Sequence, residues 1–253
     1  MKSVIHPLET ITDELREIGC KRMAEELEVV YNSPEYVNID RLDMLQRIIE
    51  PEYNEHCGKR YMSHIQLGHL KGCPEELSKC IDTAKRQYLP EGTIRHLSTM
   101  QFVKNGMNVC ILGASNSGKT YLAKAIGLEA CSLCRVEYYC TEELIDSLMA
   151  LKRESQTEGK DRFTSRKKHL CSIELLILDD FLLHSVSNET EIKVIHEIFN
   201  KRVEAHKSTI VCSQRLPQDW KAQIMNDEIA ADAIMKRATR HYTVMINLAE
   251  ASK

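Results

Sequence analysis

Residues Gly113-Ala114-Ser115-Asn116-Ser117-Gly118-Lys119-Thr120 satisfy the pattern G-x-x-x-x-G-K-[ST] at every position. Glycines at both ends let such a loop wrap tightly, so that its backbone N–H groups and the N-terminus of the following helix point at phosphate oxygens. Lys119 is then placed to reach the β- and γ-phosphates of a nucleoside triphosphate, and the Thr120 hydroxyl to bind Mg²⁺. The competing reading is a glycine-rich turn between strand and helix with no ligand.

A phosphate cradle needs a metal-holding acid on a neighbouring strand. Leu175-Leu176-Ile177-Leu178-Asp179-Asp180 offers an apolar run that ends in two carboxylates, at the strand end where an open α/β sheet binds ligands. Asp179 is expected to hold Mg²⁺, directly or through water. Asp180 is expected to orient and deprotonate an attacking water, the alternative being a helix cap. Another apolar run ends in Ser213-Gln214, where a polar side chain could touch the γ-phosphate or the water. Lys236, Arg237 and Arg240 form a basic helix end, from which an arginine can reach a neighbouring subunit's phosphate. A solvated basic face is the plainer account of it.

These residues require particular elements. Short apolar runs at Asn108–Leu112, Val136–Cys140, Ile173–Leu178, Thr209–Cys212 and Tyr242–Ile246 alternate with helical stretches. That order predicts a parallel five-stranded sheet covered by helices on both faces. Upstream, Ile11, Leu15, Ile18, Leu27 and Val30 recur at helical spacing. Ile39, Leu42, Leu45 and Ile48 mark a second helix, and Tyr53, Cys57, Tyr61 and Ile65 a third. Pro74 suits the first position of a further helix. A small all-helical N-terminal domain over residues 1–88 is expected to precede the α/β domain of residues 89–253. The joint is expected at Leu89-Pro90-Glu91-Gly92, and the next helix should stop at Asn105-Gly106.

Composition narrows the class. The 253 residues carry 34 Lys+Arg and 37 Asp+Glu. Neither end is strongly basic, since residues 1–100 hold 13 cations against 17 acids. A dedicated basic nucleic-acid module is thereby excluded, and phosphate-backbone contact must come from a local cluster. Lys152-Arg153 and the run Lys160–Lys168 are the best such cluster. No apolar run approaches a membrane span, and no secretory leader is evident at the start. The ten cysteines are therefore expected to be reduced thiols of a cytoplasmic protein. Cys131 and Cys134 are a lone CxxC without the second pair that zinc would need.

With these motifs in order, the chain resembles AAA+ ATPases of the IstB/DnaC clade, most of all the IstB-type helpers of insertion-sequence transposition. The resemblance spans nearly the whole length. It is carried by LREIGCKRMAEELE, the ILDDF run, STIVCSQRLPQDW and ADAIMKRATRHYTVMINL. It implies an Mg-dependent ATPase that self-assembles in response to nucleotide, binds duplex DNA with little sequence preference and assists a transposase. It also implies Ser213 as a sensor of the γ-phosphate, Arg237 as a finger acting in trans, and no full lid domain. A DnaC-type loader of a replicative helicase is the alternative within the same fold. Two departures stand out: Leu182 follows Phe181 where relatives often have glycine, and the N-terminal region is net acidic.

Overall fold

A computed structural model of the chain describes residues 7–73, 76–81, 86–158, 161–224 and 227–248. Pro74 and Lys160, both used above, lie outside these. The chain divides into two units between Ser63 and His64.

The first unit is helical. Helix α1 spans Pro7–Glu17, α2 Lys21–Tyr31, and α3 begins at Arg41 and ends at Leu67 within the second unit. The single helix expected through Ile11–Val30 is broken by Gly19, whose φ of +91° suits glycine alone. Its break is closed by the Cys20 N–H, which donates to the Leu15 carbonyl at 2.8 Å. Conversely, the two helices expected at 39–48 and 53–65 join into α3 with Pro51 inside. Pro51 lacks one helical N–H, but its fixed φ matches the helix. Glu52 and Glu55 of α3 hold α2, accepting from the Arg22 N–H at 2.9 Å and the Arg22 Nε at 2.6 Å.

The second unit continues with α4 (Ser78–Ile81), β1 (Arg86–Leu89), α5 (Thr93–Ser98), α6 (Gln101–Lys104) and β2 (Val109–Gly113). Then follow α7 (Lys119–Ala130), β3 (Val136–Cys140), α8 (Thr141–Glu158), α9 (Arg162–Ser172) and β4 (Leu175–Asp179). The remaining elements are α10 (Glu189–Glu204), β5 (Ser208–Ser213), α11 (Trp220–Gln223), α12 (Glu228–Ala238) and β6 (Tyr242–Leu248). The helix before Asn105-Gly106 is split into α5 and α6 by Met100 in a left-handed conformation, φ +55°.

The sheet order is β1-β6-β2-β5-β4-β3. The five expected strands, β2 to β6, are all parallel, but the sheet has a sixth. Strand β1 pairs antiparallel with β6, Arg86 opposite Leu248. Its four residues are too few to display alternation, so nothing in the sequence marks them. Strands β4 and β5 are buried along their whole length, which is why they read as continuous apolar runs.

Helix α7 packs against β2, β3, β4 and β5. On the other face Leu112, Leu176, Leu178 and Val211 meet a core built with α8, α9, α10 and α12. Two buried polar side chains tie strand starts together. Asn108 Nδ2 donates to the Arg237 carbonyl at 2.8 Å, and its Oδ1 accepts from the Thr209 N–H at 2.9 Å. The Arg202 guanidinium, 1% exposed, donates to Thr209 Oγ1 and to the carbonyls of Leu170, Ile173 and Ser208. Both side chains satisfy backbone groups that would otherwise be buried without partners.

Candidate functional site

The carboxyl ends of the parallel strands gather the candidate residues. Strand β2 ends at Gly113, and the loop runs through Ala114, Ser115 and Asn116 to Gly118, which caps α7 at φ +101°. A Cβ at Gly118 would lie 2.7 Å from Arg86 Nε, so a side chain there would have to displace the Arg86 guanidinium. Arg86 donates from that Nε to the Ser117 carbonyl at 2.7 Å. The missed strand β1 thus delivers a guanidinium to the phosphate loop.

Lys119, in the first turn of α7, is 5% exposed and donates from Nζ to the Ala114 carbonyl at 2.8 Å across the loop. Burial pushes its ammonium below the ordinary lysine value, while Cys212, Asp180 and Asp179 act in the opposite direction. Among the described residues the Ala114 carbonyl is the hydrogen-bond acceptor for this buried ammonium, which can donate to phosphate oxygens in its place.

Asp179 is 2% exposed and ends β4. Its Oδ1 accepts from the Asp180 N–H at 3.0 Å and its Oδ2 from the Tyr138 hydroxyl at 2.7 Å. Thr141 Oγ1 donates to the Asp179 carbonyl at 2.7 Å. The buried carboxylate at the end of β4 and the Thr120 hydroxyl in the first turn of α7 are hard oxygen donors, the kind that suits Mg²⁺ together with phosphate oxygens. The residues present therefore fit the metal.

Asp180 adopts φ +50°, which turns its side chain out of the strand line and leaves it partly exposed. It is not a helix cap: α10 is capped by Asn188, whose side chain accepts from the Thr190 N–H. The kink is held by its successor. Phe181, fully buried, donates its N–H to the Cys212 carbonyl at 2.8 Å and packs edge-on against Trp220 with centroids 5.2 Å apart. Leu182 also has a positive φ, +54°. A bulky side chain is strained in that conformation, which glycine adopts freely.

Strand β5 lies between β2 and β4, so its end adjoins both the phosphate loop and the acids. Ser213 itself is fully buried. Its hydroxyl donates to the Phe181 carbonyl at 2.9 Å and accepts from the Arg215 N–H at 3.2 Å. The side chain presented toward the acids is that of Gln214, whose Nε2 donates to Asp180 Oδ1 at 3.5 Å. The end of β5 thus has the Ser213 hydroxyl bonded to backbone groups and the Gln214 side chain bonded to Asp180. Trp220 closes the assembly, donating from Nε1 to the Arg215 carbonyl at 3.1 Å.

Arg237 lies apart from this group, in the last turn of α12, and donates from Nη1 to the Ala233 carbonyl at 2.8 Å. Arg240 is exposed just beyond. The basic stretch before β4 is largely engaged with its own neighbours. Arg166 pairs with Glu137, Lys167 with Glu197 at 2.7 Å, and Lys152 and Lys167 both approach the Phe163 ring. Arg162 and Lys168 are exposed. Burial raises the thiols of Cys131 and Cys134 to about 12 and about 11, as expected of packed, unreactive cysteines. Among the described residues no group of three or more His, Cys, Asp or Glu is placed to hold a metal.

Comparison with known proteins gives a consistent setting. The family described as IstB-like ATP binding protein matches residues 13–252. The chain is similar to the insertion sequence IS5376 ATP-binding protein of Geobacillus stearothermophilus, 28% identical over 83% of this chain and 80% of the relative. It is also similar to the IS232 ATP-binding protein of Bacillus thuringiensis, 25% identical over 93% and 90%. Among solved structures, DnaI covers 69% of this chain and 89% of its own, with a TM-score of 0.53 at 20% identity. AMPPCP-bound DnaA from Aquifex aeolicus covers 69% and 50%, with a TM-score of 0.53 at 22% identity. These two likenesses are of fold alone, an α/β domain.

Proposed function

The chain belongs to the IstB-like ATP-binding family, and from that premise we propose that it is an Mg-dependent ATPase that assembles on duplex DNA and assists a transposase in moving an insertion sequence. The observation that carries the reading is the grouping, at the carboxyl ends of the parallel strands, of a buried Lys119 in a phosphate loop, a buried Asp179 and an outward-turned Asp180. The relatives' names supply the biological setting, insertion sequences, and the DNA and transposase partners follow from it.

In this reading the loop N–H groups from Ala114 to Gly118 and the Lys119 ammonium bind the phosphates. Thr120 and Asp179 hold Mg²⁺, which when bound neutralises charge on the β- and γ-phosphates. Asp180 accepts the proton of the attacking water, with Gln214 beside it to orient that water. Ser213 holds the strand end, and through it Phe181, in place. Arg237 completes a neighbouring copy's site, so nucleotide promotes self-association and turnover depends on it. The helical region before the sheet, within residues 1–88, supplies DNA or oligomer contacts, and the ATPase domain follows without a full lid.

ATP turnover measured with and without duplex DNA tests the proposal: stimulation by DNA is expected, and Lys119→Ala should lose nucleotide binding with its fold intact. Nucleotide affinity unchanged in that variant would overturn it. Capture of a replicative helicase in place of a transposase would favour the loader alternative.

A further inference from the structure

We propose that Tyr138 is a positioning residue for the divalent cation, its hydroxyl setting the orientation of the Asp179 carboxylate. The inference rests on the reading that Asp179 holds Mg²⁺. Nothing in the nucleotide motifs includes Tyr138, which comes from a different strand. In the parallel pairing of β3 with β4, Tyr138 stands opposite Ile177, and Cys140 opposite Asp179. Side chains alternate along a strand, so Tyr138 and Asp179 share one face of the sheet. A tyrosine is long enough to span the two-residue diagonal. Its hydroxyl reaches Asp179 Oδ2 at 2.7 Å. Tyr139, on the opposite face, bonds instead to Glu137 at 2.6 Å.

The contact has the features of a held geometry. The other oxygen, Oδ1, is fixed by the Asp180 N–H, so the carboxylate is gripped at both ends and cannot rotate about its terminal torsion. Each oxygen keeps lone-pair capacity for a cation or its water. The tyrosine is itself held: its N–H donates to the Gly68 carbonyl at 3.0 Å, and Lys124 Nζ lies 4.8 Å from its ring centroid. Lys124 belongs to α7, the phosphate-loop helix, so one aromatic ring connects the helix carrying Lys119 and Thr120 with the strand carrying Asp179. Outer groups that orient a metal-binding carboxylate contribute strongly to metal affinity, and their removal typically weakens it about 10–100-fold.

Tyr138→Phe keeps the ring and the Lys124 contact and removes only the hydroxyl. Binding of a non-hydrolysable ATP analogue should be measured by calorimetry across a Mg²⁺ or Mn²⁺ titration and in EDTA, for wild type, Tyr138→Phe and Asp179→Asn. In EDTA, Tyr138→Phe should match wild type. Its midpoint for metal-supported binding should rise about tenfold or more, and that of Asp179→Asn at least as far. A normal midpoint in Tyr138→Phe with a shifted one in Asp179→Asn overturns the role of Tyr138 and leaves Asp179 as metal holder. Normal midpoints in both overturn the reading of Asp179 and this inference with it. Equal loss with and without metal assigns Tyr138 to packing alone and also overturns it.

Discussion

Asp180 occupies the left-handed region between two buried neighbours, Asp179 and Phe181, so its side chain is aimed by the backbone. Asparagine tolerates that conformation nearly as well as aspartate, which makes Asp180→Asn a clean test of chemistry. The variant should bind Mg-ATP like wild type and lose turnover about 10²–10⁴-fold, the usual range for a general base. Phosphate release beside nucleotide titration checks this; hydrolysis near the wild-type rate would remove Asp180 from the reaction. At the end of β5 the neighbouring residues should separate by kind of effect. Ser213→Ala leaves the Phe181 carbonyl and Arg215 N–H without their hydroxyl partner and should lower stability by about 1–3 kcal/mol. Gln214→Ala disturbs no buried group and should lower turnover with little change in melting temperature. Should the melting and activity losses fall the other way round, Ser213 is the residue that meets the phosphate.

At the scale of elements, β1 matters out of proportion to its length. It carries Arg86 to the phosphate loop, where the guanidinium bonds the Ser117 carbonyl beside Gly118. A charged donor on a partly buried carbonyl contributes about 1.5–3 kcal/mol. Arg86→Ala should therefore weaken nucleotide affinity by roughly tenfold, since the loop loses its brace. Arg86→Lys should recover only part, lacking the planar fork. Calorimetric titration decides it, and an affinity equal to wild type in Arg86→Ala would show that the loop is self-supporting. Trp220 acts similarly on the other side. The segment that looked like a family signature in the sequence is, in three dimensions, the wedge behind Phe181 that keeps Asp180 turned outward.

For the whole molecule the expected behaviour is assembly. In one copy Arg237 bonds its own helix, and on the proposed reading it meets phosphate in a neighbouring copy's site. Such head-to-tail contacts build rings or open helices. Arg237→Ala should bind ATP yet lose turnover about a thousandfold or more. Mixing it with Lys119→Ala should recover part of the activity, because the first variant retains a phosphate site and the second a finger. No recovery, with turnover independent of wild-type concentration, would place Arg237 outside the site. DNA binding should weaken steeply with salt and show little sequence preference. Reversing Arg166 or Lys167 would break ion pairs to Glu137 and Glu197, so the sharper variant is Arg162→Glu with Lys168→Glu. Wild-type affinity and salt slope in that double variant would move the DNA surface to the N-terminal helices.

The phosphate loop, the two acids and the parallel strands were legible along the chain because each is local. A G-x-x-x-x-G-K-T loop needs only its own residues, and a strand buried on both faces must be apolar throughout. Helix ends were less legible: Gly19 breaks a helix by its own backbone freedom, whereas Met100 breaks one and Pro51 fails to, both against local preference. What depended on the fold was every relation across strands. β1 is too short to announce itself, and only the antiparallel pairing with β6 makes it part of the sheet and places Arg86. Which of Ser213 and Gln214 faces the acids depends on the hydrogen bonds that fill β5's end. The reach of Tyr138 to Asp179 depends on the register of β3 against β4, which no spacing along the chain encodes. Contacts of this kind join residues about forty positions apart, and a periodicity read over one or two turns carries no information about them.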